Sequence, residues 1–201
     1  DRPIRPLFPK AFKNETQVVA LVISHDQTNP PDVNAITGAS AALMISDIPF
    51  ETPIAGARIS RVDGKLIFNP TYEDTANSDL NLVMAGTADG SVMVEAGANE
   101  ASEDDMMAAL EFGHERIKQL IEIQIKLRGL LGKEKLVVEA PQVDEELKSK
   151  IHEKTAAKLT EAMQISGKHK RSDTIKQIRE DFKAELSPEE LDEKAGAIKE
   201  L

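Results

Sequence analysis

The chain has 201 residues, with 25 Lys+Arg against 35 Asp+Glu, a net charge of −10 and 40% hydrophobic residues. That length and apolar content exclude a disordered tail and allow one or two domains with a buried core. The absence of cysteine excludes a disulfide framework, a thiolate metal site and a cysteine nucleophile. It fits a reducing, intracellular compartment. No apolar run is long enough to span a membrane, and the acidic balance excludes a protein coated in nucleic acid.

Residues 1–13 carry Pro3, Pro6 and Pro9, each of which removes an N–H and pins the backbone, so the segment reads as an ordered loop. It also holds Arg2, Arg5, Lys10 and Lys13 against Asp1 alone. Such a patch suits a few phosphates at a defined place. The segment has no signal-peptide core and no initiator Met, and the chain reads as an internal piece of a longer protein. Gln17–Ser24, β-branched and nearly all apolar, predicts a strand buried on both faces. A helix is expected from Asp32, as its N-cap, to about Ser46, with Val33, Ile36, Ser40, Leu43 and Met44 on one face. Gly38, Ala39, Ala41 and Ala42 would form a small-residue surface open to close approach.

Two hairpins follow. Ala57–Val62 and Lys65–Phe68 flank Asp63-Gly64, a type I′ turn signal. Leu80–Gly86 and Ser91–Ala96 flank a slightly longer turn. A long helix should begin at Ser102, with Glu103, Asp104 and Asp105 complementing the helix dipole, and stop at Gly132. Its apolar stripe includes Met106, Leu110, Ile117, Leu120, Ile121 and Leu131, with Gly113 and Gln124 in the same rows.

The chain then changes character. Residues 133–201 hold as many charges as residues 1–132, and the pattern is helical throughout. Helices are expected over Asp144–Ile165 and Ser172–Leu186, with a third opened by Ser187-Pro188-Glu189-Glu190. The fold class is therefore α+β, mainly antiparallel sheet with packed helices, followed by a small all-α region.

Little in the chain reads as catalytic. His25, His114, His152 and His169 show no metal-ligand spacing, and no HExxH occurs. The first-turn role of Glu103, Asp104 and Asp105 explains them without a metal. Gly86 and Gly90 open no helix, so no dinucleotide or P-loop site is supported, and no nucleophile elbow is present. Arg2 and Arg5 stand out, because a guanidinium fork fits a phosphate bidentately. The alternative is that each pairs with a nearby carboxylate.

Several runs resemble the polynucleotide phosphorylase family. They are Asp1-Arg2-Pro3-Ile4-Arg5-Pro6-Leu7-Phe8-Pro9, Gly38–Leu43 followed by Ile48-Pro49-Phe50, Pro53–Arg58, Asn69-Pro70-Thr71, Val83–Thr87 and Phe112-Gly113-His114. The resemblance covers the whole chain in order. It implies an RNase PH-like fold, with residues 1–132 the later part of a first core, 133–143 a linker and 144–201 a truncated all-helical domain. It also implies a phosphate-dependent 3′→5′ exoribonuclease that uses inorganic phosphate as co-substrate and releases nucleoside diphosphates. Such an enzyme is expected to be a cytoplasmic homotrimeric ring around single-stranded RNA, assisted by Mg²⁺.

The active second core of that family carries D-x₅-D-x-K just before its own V-A-G-[ST]. Anchored on Met84–Thr87, those places hold Thr75, Asn81 and Val83, and Asp79 is out of register. Where the active core has a serine-rich phosphate loop, this chain has Pro30-Pro31-Asp32. The resemblance thus implies a non-catalytic core with no catalytic residue and no Mg²⁺ of its own. Arg2, Arg5 and Arg58 stand at family positions that face RNA; Arg61 has no assigned role. The alternative is a non-catalytic subunit of an exosome-type ring, which the helical region after the core disfavours.

Overall fold

The structure, a computed structural model, describes residues 1–139 and 145–186. The chain forms two compact units, Asp1–Ala140 and Pro141–Leu201.

The first unit runs from a 3₁₀ turn, Arg5–Leu7, through helix α1 (Asp32–Ile45), strands β1 (Ala55–Val62) and β2 (Lys65–Phe68) and the short helix α2 (Tyr72–Ala76). Strands β3 (Leu80–Gly86) and β4 (Ser91–Ala98) and helix α3 (Glu103–Leu131) follow. The four strands form one antiparallel sheet in the order β2-β1-β3-β4. Both predicted hairpins are present. Asp63 and Gly64 have φ of 49° and 73°, as a type I′ turn requires.

Strand alternation gives the sheet two different faces. Ala55, Ala57 and Ile59 of β1 and Leu80, Leu82 and Met84 of β3 point to α3, where Ala109, Ile117 and Ile121 complete a solvent-free core. Each large side chain buried there contributes about 1.5–3 kcal/mol. Gly113 marks the closest approach of α3 to the sheet, for a Cβ at that position would lie 3.1 Å from Cγ1 of Ile59. The other face carries Gly56, Arg58, Ser60, Asn81 and Val83. There α1 crosses β1 so closely that a Cβ on Gly56 would meet the Val33 carbonyl at 2.8 Å.

The α1 and α3 helices also meet, through buried polar groups. Ser40 Oγ donates to Gln124 Oε1 at 2.7 Å and accepts from Ile54 N–H at 2.9 Å, while Gln124 Nε2 donates to Ile54 O at 2.8 Å. A second cluster joins Leu43, Met44 and Phe50 to Ile4, Leu7, Phe8 and Ile48, and so seats the N-terminal segment on the last turn of α1.

Several expectations need correction. Residues 17–24 form no strand, and Val18, Val19, Leu21, Val22 and Ile23 are exposed, Ile23 by 96%. A strand needs a neighbour to complete its ladder, and the sheet order ends at β2 and β4 without this segment. Asp32 is not the N-cap of α1. Pro31 holds that position without a side-chain cap, and Asp32 turns to Arg58. The helix α2 is additional to the expected elements, and Thr71 and Asp74 open it with a reciprocal capping box. Ser102 and Asp105 form the same device at the start of α3. Gly132 ends α3 with extended backbone, φ −65° and ψ 136°, rather than a left-handed turn.

In the second unit, α4 (Glu145–Met163) and α5 (Lys168–Ala184) pack against each other, burying Leu147, Thr155 and Ala162 with Ile178, Phe182 and Leu186. Met163, placed in the expected apolar stripe, is exposed. The helix expected after Ser187 lies outside the described residues.

Candidate nucleic-acid interface

The N-terminal segment is ordered by its own hydrogen bonds and by the core beneath it. Ile4 and Arg5 N–H both donate to Asp1 O, at 3.1 and 3.0 Å, and Phe12 N–H donates to Pro9 O at 2.9 Å. Phe8 stacks on Phe12 with centroids 5.8 Å apart and tilts against Phe50 at 5.4 Å. Prolines restrict the backbone and aromatic packing holds it, so the charged side chains stand on a fixed base.

Arg2 and Arg5 leave this base toward solvent, with side chains 67% and 77% exposed. Arg2 pairs with Glu95 of β4 at 3.0 Å. Arg5 grips Asp1 through Nε and Nη2, at 3.1 and 2.5 Å. Both carboxylates are exposed as well. Pairs of this kind are worth about 0–1 kcal/mol, little enough for a phosphate to displace them.

Arg58 is placed differently. Its side chain is 15% exposed and spans from β1 to Asp32 of α1 at 2.5 Å and to Asn81 of β3 at 2.8 Å. Its Nε is buried without a partner. Its backbone N–H donates to Asn69 Oδ1 at 3.1 Å, and Asn69 returns a bond to Arg58 O at 2.7 Å. Arg58 therefore braces α1 against the sheet.

The three arginines share one side of the molecule only in part. Arg58 lies opposite Val83, and Val83 opposite Glu95, so one cross-strand row of the sheet leads from Arg58 to the partner of Arg2. Arg5 stays with its own segment. There it lines an open groove of about 950 Å³, with Lys10 beside it and Ala35, Ile36 and Ala39 of α1 on the facing wall. Neither Glu95 nor Asn81 carries a local signal that marks it as an arginine partner.

The positions aligned with the active core's two carboxylates and its lysine do not fit Mg²⁺. Thr75 donates its hydroxyl hydrogen bond to Thr71 O within α2, Asn81 is engaged by Arg58, and Val83 is apolar. Asp79 is clasped by Arg61 at 2.9 and 2.8 Å, and the same guanidinium reaches Asp105. Arg61 thereby lowers the pKa of both carboxyls, Asp105 to about 2 with help from Ser102. Among the described residues no three His, Asp or Glu side chains gather as a metal needs.

Three family models match in order. The 3' exoribonuclease family, domain 1, covers residues 1–49, and domain 2 of that family covers 52–116. The polyribonucleotide nucleotidyltransferase, RNA binding domain, covers 146–201. The chain is 47% identical over 193 residues to the polyribonucleotide nucleotidyltransferase of Oceanobacillus iheyensis, covering 96% of this chain and 27% of that protein. It is 50% identical over 199 residues to the protein of that name from Sulfurihydrogenibium azorense, covering 98% of this chain and 28% of the relative. It thus spans little more than a quarter of the length of these curated relatives. Among solved structures, rice (Oryza sativa) Rrp46 matches with 16% identity and a TM-score of 0.43, over 47% of this chain and 46% of that one. With both halves of an exoribonuclease domain pair followed by the RNA binding domain model, and about half of its residues shared with proteins of one name, this chain belongs to the polyribonucleotide nucleotidyltransferase family.

Proposed function

We propose that the chain is the ring-building, RNA-guiding portion of a phosphate-dependent 3′→5′ exoribonuclease. In that enzyme an oxygen of inorganic phosphate attacks the terminal phosphodiester phosphorus. The bond to the 3′ oxygen breaks, a nucleoside diphosphate leaves, and the shortened RNA keeps its 3′ hydroxyl. Residues 1–132 serve as the later part of a non-catalytic core, 133–143 as a linker and 144–201 as a helical domain. The working assembly is a cytoplasmic homotrimer that degrades and processes mRNA, and its Mg²⁺ is held outside this chain's residues.

One observation carries the reading. A rigid, core-anchored loop directs Arg2 and Arg5 outward onto weak, exposed partners, while the positions aligned with catalytic carboxylates are spent on internal hydrogen bonds. The first arrangement suits a phosphate backbone, which is held by charge without base contacts. The second leaves no carboxylate at those positions to assist the attack. Phosphorolysis of a short RNA with phosphate and Mg²⁺ tests this. The full-length polypeptide is expected to release nucleoside diphosphates and the 201-residue chain none. Release by the 201-residue chain alone would overturn the assignment.

A further inference from the structure

We propose that Lys135 is a positioning residue for Arg5, acting through the last turn of α1. A helix C-terminus leaves carbonyls without intrahelical donors and favours a nearby cation. The last turn of α1 has no basic residue of its own. Lys135, 92 positions from Leu43, supplies one: its ammonium donates to Leu43 O at 2.8 Å and to Ser46 O at 2.7 Å. The backbone beside it reinforces the clasp, with Lys133 N–H donating to Ile45 O at 3.0 Å and Leu136 N–H to Asp47 O at 2.8 Å. Residues 133–136 are therefore a strap across the helix end. The ammonium is partly removed from water, and burial pulls its pKa below the usual lysine range.

The strap meets the arginine segment through packing. Ser46 Oγ donates to Leu43 O at 2.8 Å and accepts from Ile48 N–H at 3.2 Å, which sets the turn leading to Phe50. Leu43, Met44 and Phe50 form the seat on which Ile4, Leu7 and Phe8 rest. Arg5 lies between those contacts, in a turn closed by Leu7 N–H to Ile4 O and Phe8 N–H to Arg5 O. Loss of the Lys135 charge takes its donor from Ser46 O and leaves Leu43 O to the Ser46 hydroxyl alone, which loosens the turn at 46–48 and lets the seat shift. Arg5 then loses its fixed direction without being touched.

The inference rests on the phosphate role proposed for Arg5, and its test separates the two. In the full-length polypeptide, Lys135→Met is expected to speed amide exchange at Leu7 and Phe8, to leave Ile117 and Ile121 protected, and to be reversed by Lys135→Arg. Unchanged exchange at Leu7 and Phe8, or general loss of protection, overturns the proposal. Binding of single-stranded RNA supplies the second arm. Lys135→Met should weaken it as much as Arg5→Ala does, and the double variant should match either single one within about twofold. Additive losses would mean that Lys135 meets RNA itself, and an unaffected Lys135→Met beside a weakened Arg5→Ala would mean no coupling; both overturn the proposal. A silent Arg5→Ala sinks the phosphate reading instead, and amide exchange still decides whether Lys135 seats the segment.

Discussion

The guanidinium of Arg61 on β1 reaches Asp105 in the first turn of α3. It also holds Asp79 at the entrance to β3, so one side chain ties the start of the long helix to the sheet.

This clasp makes the fold sensitive to acid. Hydrogen bonding from Arg61, then from Ser102, holds the Asp105 carboxyl at about 2, below its ordinary 3.8. Arg61 lowers Asp79 as well. The unfolded chain therefore binds protons at a higher pH than the folded one. The stabilisation is complete above about pH 4 and is lost as pH falls through about 2. Arg61→Gln should move the acid unfolding midpoint upward by some tenths of a pH unit, read by circular dichroism. An unmoved midpoint would show that the clasp adds nothing to the fold.

The Ser40–Gln124–Ile54 triangle is the main buried polar joint between α1 and α3. Gln124→Leu removes both of its bonds and strands the Ile54 carbonyl. A buried polar group left without a partner costs about 1–3 kcal/mol. The melting temperature should fall by about 3–10 °C. A melting temperature equal to that of the parent would mean that water replaces the amide there.

Arg2→Ala and Arg5→Ala should each weaken single-stranded RNA binding and reduce the salt slope by about 1, the signature of one lost phosphate contact. Glu95→Gln should strengthen binding by freeing Arg2. Arg58→Ala should instead lower thermal stability, because its guanidinium braces α1. Equal affinity and slope in the parent and the Arg2/Arg5 double variant would remove both from the interface.

The exposed run at 18–23 is a contiguous apolar surface. Surfaces of this kind promote association. The 201-residue chain by itself should therefore associate with rising concentration in sedimentation, and Leu21→Lys with Ile23→Lys should reduce it. A monodisperse monomer with a cooperative melt would contradict this.

What could be read in advance was what neighbours in the sequence determine. Asp63-Gly64 dictates its turn through φ alone, and Ser102 with Asp105 announces a helix start in four residues. Thr71 and Asp74 carry the same signal for α2, but the helix they open has five residues, too few for an apolar period to show. Long-range facts were hidden. The apolar composition of 17–24 matches a buried strand, but composition does not supply the neighbour that a ladder needs. Asp32 has the chemistry of a cap, yet Arg58, 26 residues on, claims it. Glu95, the partner of Arg2, stands 93 residues away. For the candidate site, the resemblance pointed to three arginines, and the fold separates a solvent-facing pair from one that braces α1.

The 84-residue separation of Ser40 and Gln124 has a bearing on synthesis. At about 5–20 residues per second, α1 leaves the ribosome about 4–17 s before the glutamine that closes its inner face. In that interval the Ser40 hydroxyl has no acceptor from α3. A nascent chain in that state is a natural client for a chaperone, and a translational pause between the two hairpins would lengthen its exposure.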